Sequence, residues 1–586
     1  MFKIKNKRLF EIIINIILSL ILTIFVWQNI SFTGNSVIFV FILMAIFITG
    51  DFLITKIKTM HKREIIIISI ISFIFSVIEL IGKSINTDYT LNNILNKWII
   101  VDLIGYFIIC AFLIANLYDF FEKQKSERCK LEFAKKIKEK FLNNNIKIFF
   151  ICLVAIIIAW LPYYLNYFPG ILTPDSCSQI EQIVGKSGLS NHHPITHTGI
   201  VAIFVNIAML LFKDINMGIA LYSLMSIIIM ALLDTFVIMY MVKNEVDYKV
   251  IICTLIFYMF YPVNGMYSIT MWKDVFFSGV IPIFIILNIK LLKSTNQFFE
   301  KRINIFLYLF ISILTMLLRH NGVYVVLLTL PFIFGYLRSY WKKILPFFSG
   351  IIILYLSSNF LIYNILQVEK GSIGEMLSVP VQQIARVEKE NRQELDIETK
   401  EKIEKFFGEN IGDVYNPTLS DDVKGRLNGE AFETNKVDFF GLWLNLLLKY
   451  PKVYIESFIS NSYGYYYPEA QNWVVATNLY DRGLGMVQTP IINSRVVSKI
   501  VGIIQNRNIP IISMFFSVGF ASWLLLVLLG YKLYRKEKEF LIIYLPLFIL
   551  WLTLIASPVF CEYRYAYSLF LSIPLLFSEN FKKMMN

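Results

Sequence analysis

An acidic residue followed by three histidines is the part of the sequence best suited to chemistry. Asp175 opens the segment, and His192, His193 and His197 follow it. A carboxylate can act as a general base toward an acceptor hydroxyl, and imidazoles can hydrogen-bond to a phosphate or a sugar. The surrounding Thr-Pro-Asp-Ser sequence is also typical of a helix N-cap, a role that does not exclude catalysis. The segment therefore predicts a polar site with Asp175 as its base.

The histidines admit two other interpretations. His193 and His197 are four residues apart, so a helix would place both on one face, where they could bind a metal ion. Pro194 interrupts that helix, and the sequence lacks the HExxH pattern of zinc-binding helices. Hydrogen bonds to substrate are therefore favoured over metal ligation. Plain helix-start residues stay an alternative, and a divalent cation stays open as a cofactor.

Further charged residues lie where apolar segments begin or end. One group interrupts an apolar stretch that runs from 303 to 337, and ionisable groups there are costly unless they are paired or functional. Arginine can also bind a phosphate bidentately. Interfacial anchoring and simple ion pairing are the alternatives. The residues are Lys273, Asp274, Arg319, His320, Asn321, Glu562 and Arg564.

The composition is that of a membrane protein. Hydrophobic residues make up 56% of the 586 residues, charged residues 17%, and the mean hydropathy is +0.61. The net charge of +13 comes mostly from loops between apolar segments, which is the positive-inside pattern and does not indicate nucleic-acid binding. We predict an all-α polytopic membrane protein with about 14 transmembrane helices. The predicted spans are 9–28, 37–57, 64–82, 98–118, 148–165, 217–241, 250–268, 275–293, 303–319, 322–338, 344–363, 509–534, 541–556 and 565–580.

Charge placement predicts how the chain is oriented in the cell membrane. Basic loops on the inside give a cytoplasmic N-terminus and put Asp175 outside. The short apolar segment 196–212 decides the rest, because its crossing would turn three later basic loops outward. We therefore expect this segment to lie along the outer face without crossing. Both termini are then cytoplasmic, and the charged residues of the later loops join Asp175 on the extracytoplasmic side.

Four regions are expected from these assignments. The first ends in a basic amphipathic segment, 120–147, that anionic lipid would attract, although a solvated connector is an equal alternative. The regions are a four-span module (1–147), a membrane core (148–363) with a first external loop (166–215), an external and mostly helical insert (364–508), and three C-terminal transmembrane helices (509–586).

The insert contains three features of interest. Gln383 and Arg386 could close over the site. The apolar segment 441–450 is too short to span before a proline, so we expect it to lie at the membrane interface. A run of aromatic residues from Tyr463 to Trp473 is typical either of an interfacial belt or of a surface that stacks on a sugar ring.

The arrangement resembles the GT-C class of polytopic membrane glycosyltransferases, which includes protein O-mannosyltransferases and the lipid A aminoarabinose transferase. Such enzymes carry an essential acidic residue in a large first external loop, followed by a histidine-proline stretch and a juxtamembrane helix. Asp175, His193-Pro194 and segment 196–212 match these features. The likeness is best over 148–340. Within the class, the chain is most similar to an uncharacterised bacterial branch. Mannosyltransferases have an Asp-Glu pair in that loop, whereas Ser176 follows the aspartate here.

The resemblance implies that a sugar moves from a polyprenyl-phosphate donor to a cell-envelope glycan, lipid or protein on the outer face. Asp175 would deprotonate the acceptor hydroxyl, with inversion at the anomeric carbon. The other expected roles are stabilisation of the leaving phosphate by Lys273, Arg319 and Arg564, orientation of substrates by His193, His197, His320 and Asn321, and positioning of the basic residues by Asp274 and Glu562. A transporter or flippase of lipid-linked sugars is the main alternative, and an anchoring protein that displays the insert is another. Charged residues at one interface rather than at the midplane favour the enzyme.

Overall fold

The structure is a computed structural model, and every structural statement below concerns the residues it describes. These are residues 2–29, 42–44, 46–47, 50, 56–94, 98–127, 145–371, 373–506, 509, 512–559 and 561–580. The second predicted span (37–57) and the amphipathic segment (120–147) therefore lie largely outside the described residues.

The described chain is helical and contains no β-strand, only isolated β-bridges between loops. Most helices are bounded by polar or proline residues that separate long apolar runs. The helices are α1 (Phe2–Asn29), α2 (Lys62–Asp88), α3 (Ile99–Glu127), α4 (Asn145–Asn166), α5 (Pro174–Ile183), α6 (Ile195–Leu211), α7 (Ile215–Lys243), α8 (Tyr248–Phe260), α9 (Pro262–Ser268), α10 (Lys273–Lys293), α11 (Thr295–Glu300), α12 (Arg302–Leu318), α13 (Asn321–Tyr336), α14 (Trp341–Phe360), α15 (Ser378–Asn391), α16 (Ile397–Phe407), α17 (Asp421–Gly425), α18 (Gly429–Thr434), α19 (Lys436–Lys449), α20 (Pro451–Ser462), α21 (Arg495–Asn506), α22 (Val518–Tyr534), α23 (Lys538–Ala556) and α24 (Tyr563–Ser578).

Several of these helices can cross a membrane, which confirms the prediction of an all-α membrane protein. Among the described residues, six helices are long and apolar enough, or seven if α8 and α9, bent by 51° at a break, form one span. Six further apolar helices are shorter, including α6, α12 and α13. The predicted span 509–534 starts late, because its helix begins only at Val518. The total of 14 spans stays a prediction.

The chain folds as two compact units. The first consists of residues 1–128 and 526–538, and the second consists of residues 129–525 and 539–586. The second half of α22 therefore groups with the N-terminal helices, which the predicted boundaries had separated. Within this first unit, Tyr118 Oη donates to the Val527 carbonyl at 2.8 Å and Arg535 forms an ion pair with Glu122 at 2.8 Å.

Helix α10 is the central element of the second unit and is buried along most of its length. It runs beside α24 in the same direction. At the start of both helices, the Arg564 guanidinium lies 4.9 Å from the centre of the Trp272 ring, and at their ends Lys293 Nζ lies 3.5 Å from Glu579. The second unit therefore has two distinct ends, which we call the Asp175 end and the basic end. Cations of the basic end are Lys290, Lys293, Lys301, Arg302, Lys342 and Lys343.

Helix α6, the segment predicted not to cross, stays at the Asp175 end. Its residues 197–208 contact residues 218–222 of α7, and Gly218 is needed because a Cβ there would come within 2.9 Å of the Val205 Cα. If α6 and α7 ran side by side from the turn between them, His197 would face a residue of α7 about two turns beyond Tyr222, which it actually contacts. The helices therefore cross at an angle. The side of the membrane on which α6 lies stays a prediction.

The insert has its own hydrophobic core, built from α15 to α20. Arg386 lies inside it, with its guanidinium 2.8 Å from Glu390 and 3.2 Å from Glu456. Gln383 accepts a hydrogen bond from the Trp443 indole at 2.7 Å and donates one to the Tyr454 carbonyl. Contrary to the prediction, the structure brings neither Gln383 nor Arg386 to Asp175. Their amphipathic spacing places both on the buried face of α15 instead.

The aromatic run and the apolar segment 441–450 are only partly surface features. Tyr463, Tyr465 and Tyr467 are buried, so the run offers fewer exposed rings than the sequence suggests. In α19, one face packs into the core of the insert and the opposite face is exposed. The interfacial position of α19 stays a prediction.

The two ends of the second unit should be accessible from opposite sides of the membrane. In a variant without native cysteines, H192C and R482C test the Asp175 end, whereas K301C and K342C test the basic end. An impermeant thiol reagent applied to intact cells should label the first pair and leave the second pair unlabelled until the membrane is opened. Labelling of all four positions from one side would contradict this orientation.

Replacing Arg386 should destabilise the insert. R386M removes the cation that faces two carboxylates in a buried setting, and breaking such a pair costs about 3–5 kcal/mol. We expect faster protease cleavage of the insert in the full-length protein in nanodiscs. The control K402M removes an exposed ion pair with Glu398 and should leave the cleavage rate unchanged. Equal resistance of R386M and the wild type would show that Arg386 is not a structural residue.

Candidate active site

The loop between α4 and α5 is joined to the start of α10 by backbone pairing. The Ile171 amide donates to the Ile269 carbonyl, and the Met271 amide donates to the Ile171 carbonyl, both at 3.0 Å. Ser176 Oγ donates to the Met271 carbonyl at 2.6 Å, and the Trp272 indole donates to Thr173 Oγ1 at 2.8 Å. These bonds hold the first turn of α5, which carries Asp175, beside the first turn of α10, which carries Lys273.

Asp175 is held by two cations from distant parts of the chain. Its Oδ2 accepts a hydrogen bond from Arg564 Nη1 at 2.8 Å and lies 3.8 Å from Lys273 Nζ. The Asp175 side chain is 29% exposed, whereas the Arg564 side chain is 9% exposed and also forms an ion pair with Glu562. The carboxylate therefore faces solvent with the cations behind it. Asp175 is therefore the more exposed member of the pair.

The two cations determine the charge state of Asp175. Burial alone would raise the pKa of its carboxyl, but Arg564 and then Lys273 outweigh burial and hold that pKa well below its usual value. Glu562 behaves in the opposite way: burial raises its pKa, although Arg564 opposes the rise. Asp175 is therefore a carboxylate at neutral pH, and in the ion-paired state it is a weak base.

His193 is a neutral hydrogen-bonding group. Burial lowers its pKa, and the positive charge of Lys273 contributes, so that the pKa falls to about 2 despite the opposing charge of Asp175. Lys273 Nζ donates a hydrogen bond to His193 Nδ1 at 3.0 Å. Because Nδ1 accepts that bond, the proton of the neutral ring is on Nε2. His193 can thus donate a hydrogen bond to a substrate oxygen.

Arg319 lies behind the first ion pair. Its Nη1 is 3.0 Å from the buried Asp274 carboxylate and donates to the Tyr565 carbonyl at 3.1 Å. Its guanidinium also lies 4.6 Å from the Tyr565 ring centre, and that ring is 4.9 Å from the guanidinium of Arg564. The break between α12 and α13 that carries Arg319 needs Gly322, since a Cβ there would meet the Thr315 carbonyl at 2.0 Å.

Three predicted site residues have contacts that tie elements together. His197 is fully buried, with one ring nitrogen 3.0 Å from Gln179 Oε1 and the other 2.8 Å from Tyr222 Oη, so it joins α5, α6 and α7 instead of facing a substrate. Asn321 donates to Thr553 Oγ1 at 3.0 Å and joins α13 to α23. His320 is exposed, and its Nε2 lies 3.0 Å from the Asn191 carbonyl, next to the cluster but not in it.

Trp272 and Tyr565 are site residues that sequence reasoning missed. Their rings lie on the Arg564 guanidinium, each with its centre 4.9 Å away. Each ring neighbours a predicted charged residue in the sequence, and that adjacency of aromatic and cation is the signal that could have identified them. The described residues contain no group of three or more His, Cys, Asp or Glu side chains arranged to hold a metal ion.

The fold and the site define an all-helical membrane protein with an ion-paired polar cluster at one end of its second unit. Residues 184–584 match a family described as a family of unknown function, DUF6020, and the chain belongs to this family. The matched region starts just after α5, so it contains His193 and the cations of the cluster but not Asp175. No curated protein and no solved structure matches the chain.

The D175N variant should lose stability by an amount that does not depend on pH between 5 and 8. The pKa of Asp175 in the folded protein lies below the unfolded value of about 3.9, so its contribution is complete above that value and is lost only as the pH falls through the folded pKa. Loss of a charge-assisted hydrogen bond predicts a cost of roughly 1.5–3 kcal/mol. Thermal unfolding of wild type and D175N at pH 5, 6, 7 and 8 should give a constant gap. A gap that shrinks toward pH 5 would show that the carboxyl titrates in that range.

Proposed function

We propose that the protein is an integral membrane glycosyltransferase of the GT-C type that transfers a sugar from a polyprenyl-phosphate donor to a cell-envelope acceptor, with its site on the outer face of the cell membrane. The observation that carries the proposal is the solvent-facing Asp175 carboxylate, held by Arg564 and Lys273. A base next to two cations is what transfer away from a phosphate leaving group requires. The proposal includes about 14 spans with both termini in the cytoplasm.

Donor binding supplies the event that makes Asp175 a competent base. The phosphate of the donor is an anion that competes with the carboxylate for Arg564 and Lys273, and arginine can bind it bidentately. Once the phosphate has taken these cations, the carboxylate loses the charges that hold its pKa down. Its basicity then rises only when the donor is in place. Arg319 lies behind this pair, with its Nη1 3.0 Å from Oδ1 of the buried Asp274.

The reaction follows from these positions. Asp175 accepts the proton of an acceptor hydroxyl as the oxygen of that hydroxyl forms a bond to the anomeric carbon. The bond from that carbon to the phosphate oxygen breaks, and the electron pair leaves on polyprenyl phosphate, which Arg564 and Lys273 stabilise. Attack from the face opposite the phosphate inverts the anomeric carbon. The Nε2 proton of His193 can donate to an oxygen of either substrate.

The chemical role of Asp175 can be tested in cells. A strain without the protein should accumulate a polyprenyl-phosphate-linked sugar and lose that sugar from one envelope component, as measured by mass spectrometry of lipid and envelope extracts. D175N at normal abundance should reproduce both changes and retain less than about 1% of the transfer rate, since a general base contributes roughly 10²–10⁴-fold. The control is D214N at the N-cap of α7, where asparagine also caps well, and it should behave as the wild type.

Two results would contradict the proposal in different ways. Full transfer by D175N would remove Asp175 as the base and leave the enzyme assignment standing. A deletion strain with unchanged lipids and envelope sugars would remove the glycosyltransferase itself. Purified protein in proteoliposomes separates the enzyme from the transporter alternative, because a transporter moves the lipid-linked sugar across the bilayer without transferring the sugar.

A further inference from the structure

An irregular segment between α20 and α21 passes over the site, and we call residues 470–494 the strap. The Tyr563 amide donates to the Trp473 carbonyl at 2.9 Å, one residue before the site arginine. The Tyr480 amide donates to the Leu172 carbonyl at 3.1 Å, three residues before the site carboxylate. The strap is thus fixed on both sides of the Asp175–Arg564 pair, and its residues 473–480 form a wall of the site.

The strap carries two exposed aromatic rings on this wall. Trp473 is 39% exposed and Tyr480 is 41% exposed, whereas Tyr463, Tyr465 and Tyr467, just before the strap, are buried. The Trp473 ring packs on the Trp272 ring at 5.6 Å, and Trp272 in turn covers the Arg564 guanidinium. The Trp272 ring therefore lies between Trp473 and Arg564, the cation that would bind the donor phosphate.

Tyr480 is also held in place by its surroundings. The Arg482 guanidinium lies 5.6 Å from the Tyr480 ring centre and donates to Ser178 Oγ at 3.1 Å and to Glu181 Oε2 at 3.2 Å. Ser178 and Glu181 belong to α5, the helix that carries Asp175. The ring is therefore fixed relative to the proposed base.

The chemistry of the wall fits a pyranose ring. A pyranose presents a face of C–H groups that packs on a flat aromatic ring, while its hydroxyls need charged or polar partners nearby, and tryptophan and tyrosine combine an apolar body with a polar tip. Aromatic residues of an interfacial belt face lipid, whereas the ring behind Trp473 lies on a guanidinium. We propose that Trp473 and Tyr480 form a sugar-binding wall that stacks on a pyranose ring of the donor or the acceptor. This inference rests on the proposed function.

The binding test uses the full-length protein in lipid nanodiscs with three kinds of probe: polyprenyl phosphate, polyprenyl phosphate linked to glucose or mannose, and soluble gluco- and manno-oligosaccharides. We expect W473A to weaken the binding of a sugar-bearing probe about tenfold, which corresponds to the loss of one good aromatic contact. The affinity for polyprenyl phosphate should stay within about twofold of the wild type. Loss confined to the lipid-linked sugars indicates the donor ring, and loss confined to the oligosaccharides indicates the acceptor ring. W473F should retain most of the binding, and Y480A should weaken the same probe as W473A.

The matched control is W341A, which removes an exposed tryptophan at the basic end and should leave the binding of every probe unchanged. Unchanged binding of every sugar probe by W473A would overturn the sugar-binding wall, as would an equal loss for polyprenyl phosphate. A wild type that binds polyprenyl phosphate but no sugar probe would overturn the wall alone. A wild type that binds an oligosaccharide through Trp473 but binds no polyprenyl phosphate would overturn the proposed function and retain the wall.

Discussion

The ion pair between Asp175 and Arg564 is the interaction on which the rest of the site depends. It joins residues 389 positions apart at a distance of 2.8 Å, and so connects the first turn of α5 to the first turn of α24. Arg564 is almost entirely buried, and a buried guanidinium is tolerable only with counter-charges and aromatic faces around it. Glu562, Trp272 and Tyr565 supply them. The Arg564 guanidinium is therefore held between its counter-charges and two aromatic rings.

Charge balance explains why so many ionisable groups can share one end of an apolar bundle. The cluster contains three acidic side chains (Asp175, Asp274 and Glu562) and three cationic side chains (Lys273, Arg319 and Arg564), while His193 is neutral. A set with equal charges of both signs has a small net field, so the cost of burying each member is offset by its neighbours. In such a balanced set an added anion can bind by exchange, by replacing a carboxylate at the cations. In the function we propose, this exchange makes donor binding and activation of Asp175 one event.

The surrounding elements fix the cluster from several directions. Backbone pairing between the α4–α5 loop and the start of α10 sets Asp175 against Lys273, and the strap reaches Leu172 on one side and Tyr563 on the other. His197 adds a buried hydrogen-bonded link between α5, α6 and α7. Hydrogen bonds between elements therefore hold the loops at this end in place.

The helical membrane class and the charged residues of the cluster could be predicted from the amino-acid sequence alone. Apolar runs of spanning length follow from composition, and Lys273, Arg319 and Arg564 stand out because a charge at the end of an apolar run needs a reason. Which polar residues are exposed and which hold helices together depends on contacts that form only in the folded chain. His197, Gln383 and Arg386 look the same in sequence as site residues, but each is paired with side chains of other helices. The strap was hidden for the same reason: its position over Asp175 depends on backbone bonds to Leu172 and Tyr563, and backbone atoms carry no sequence signal.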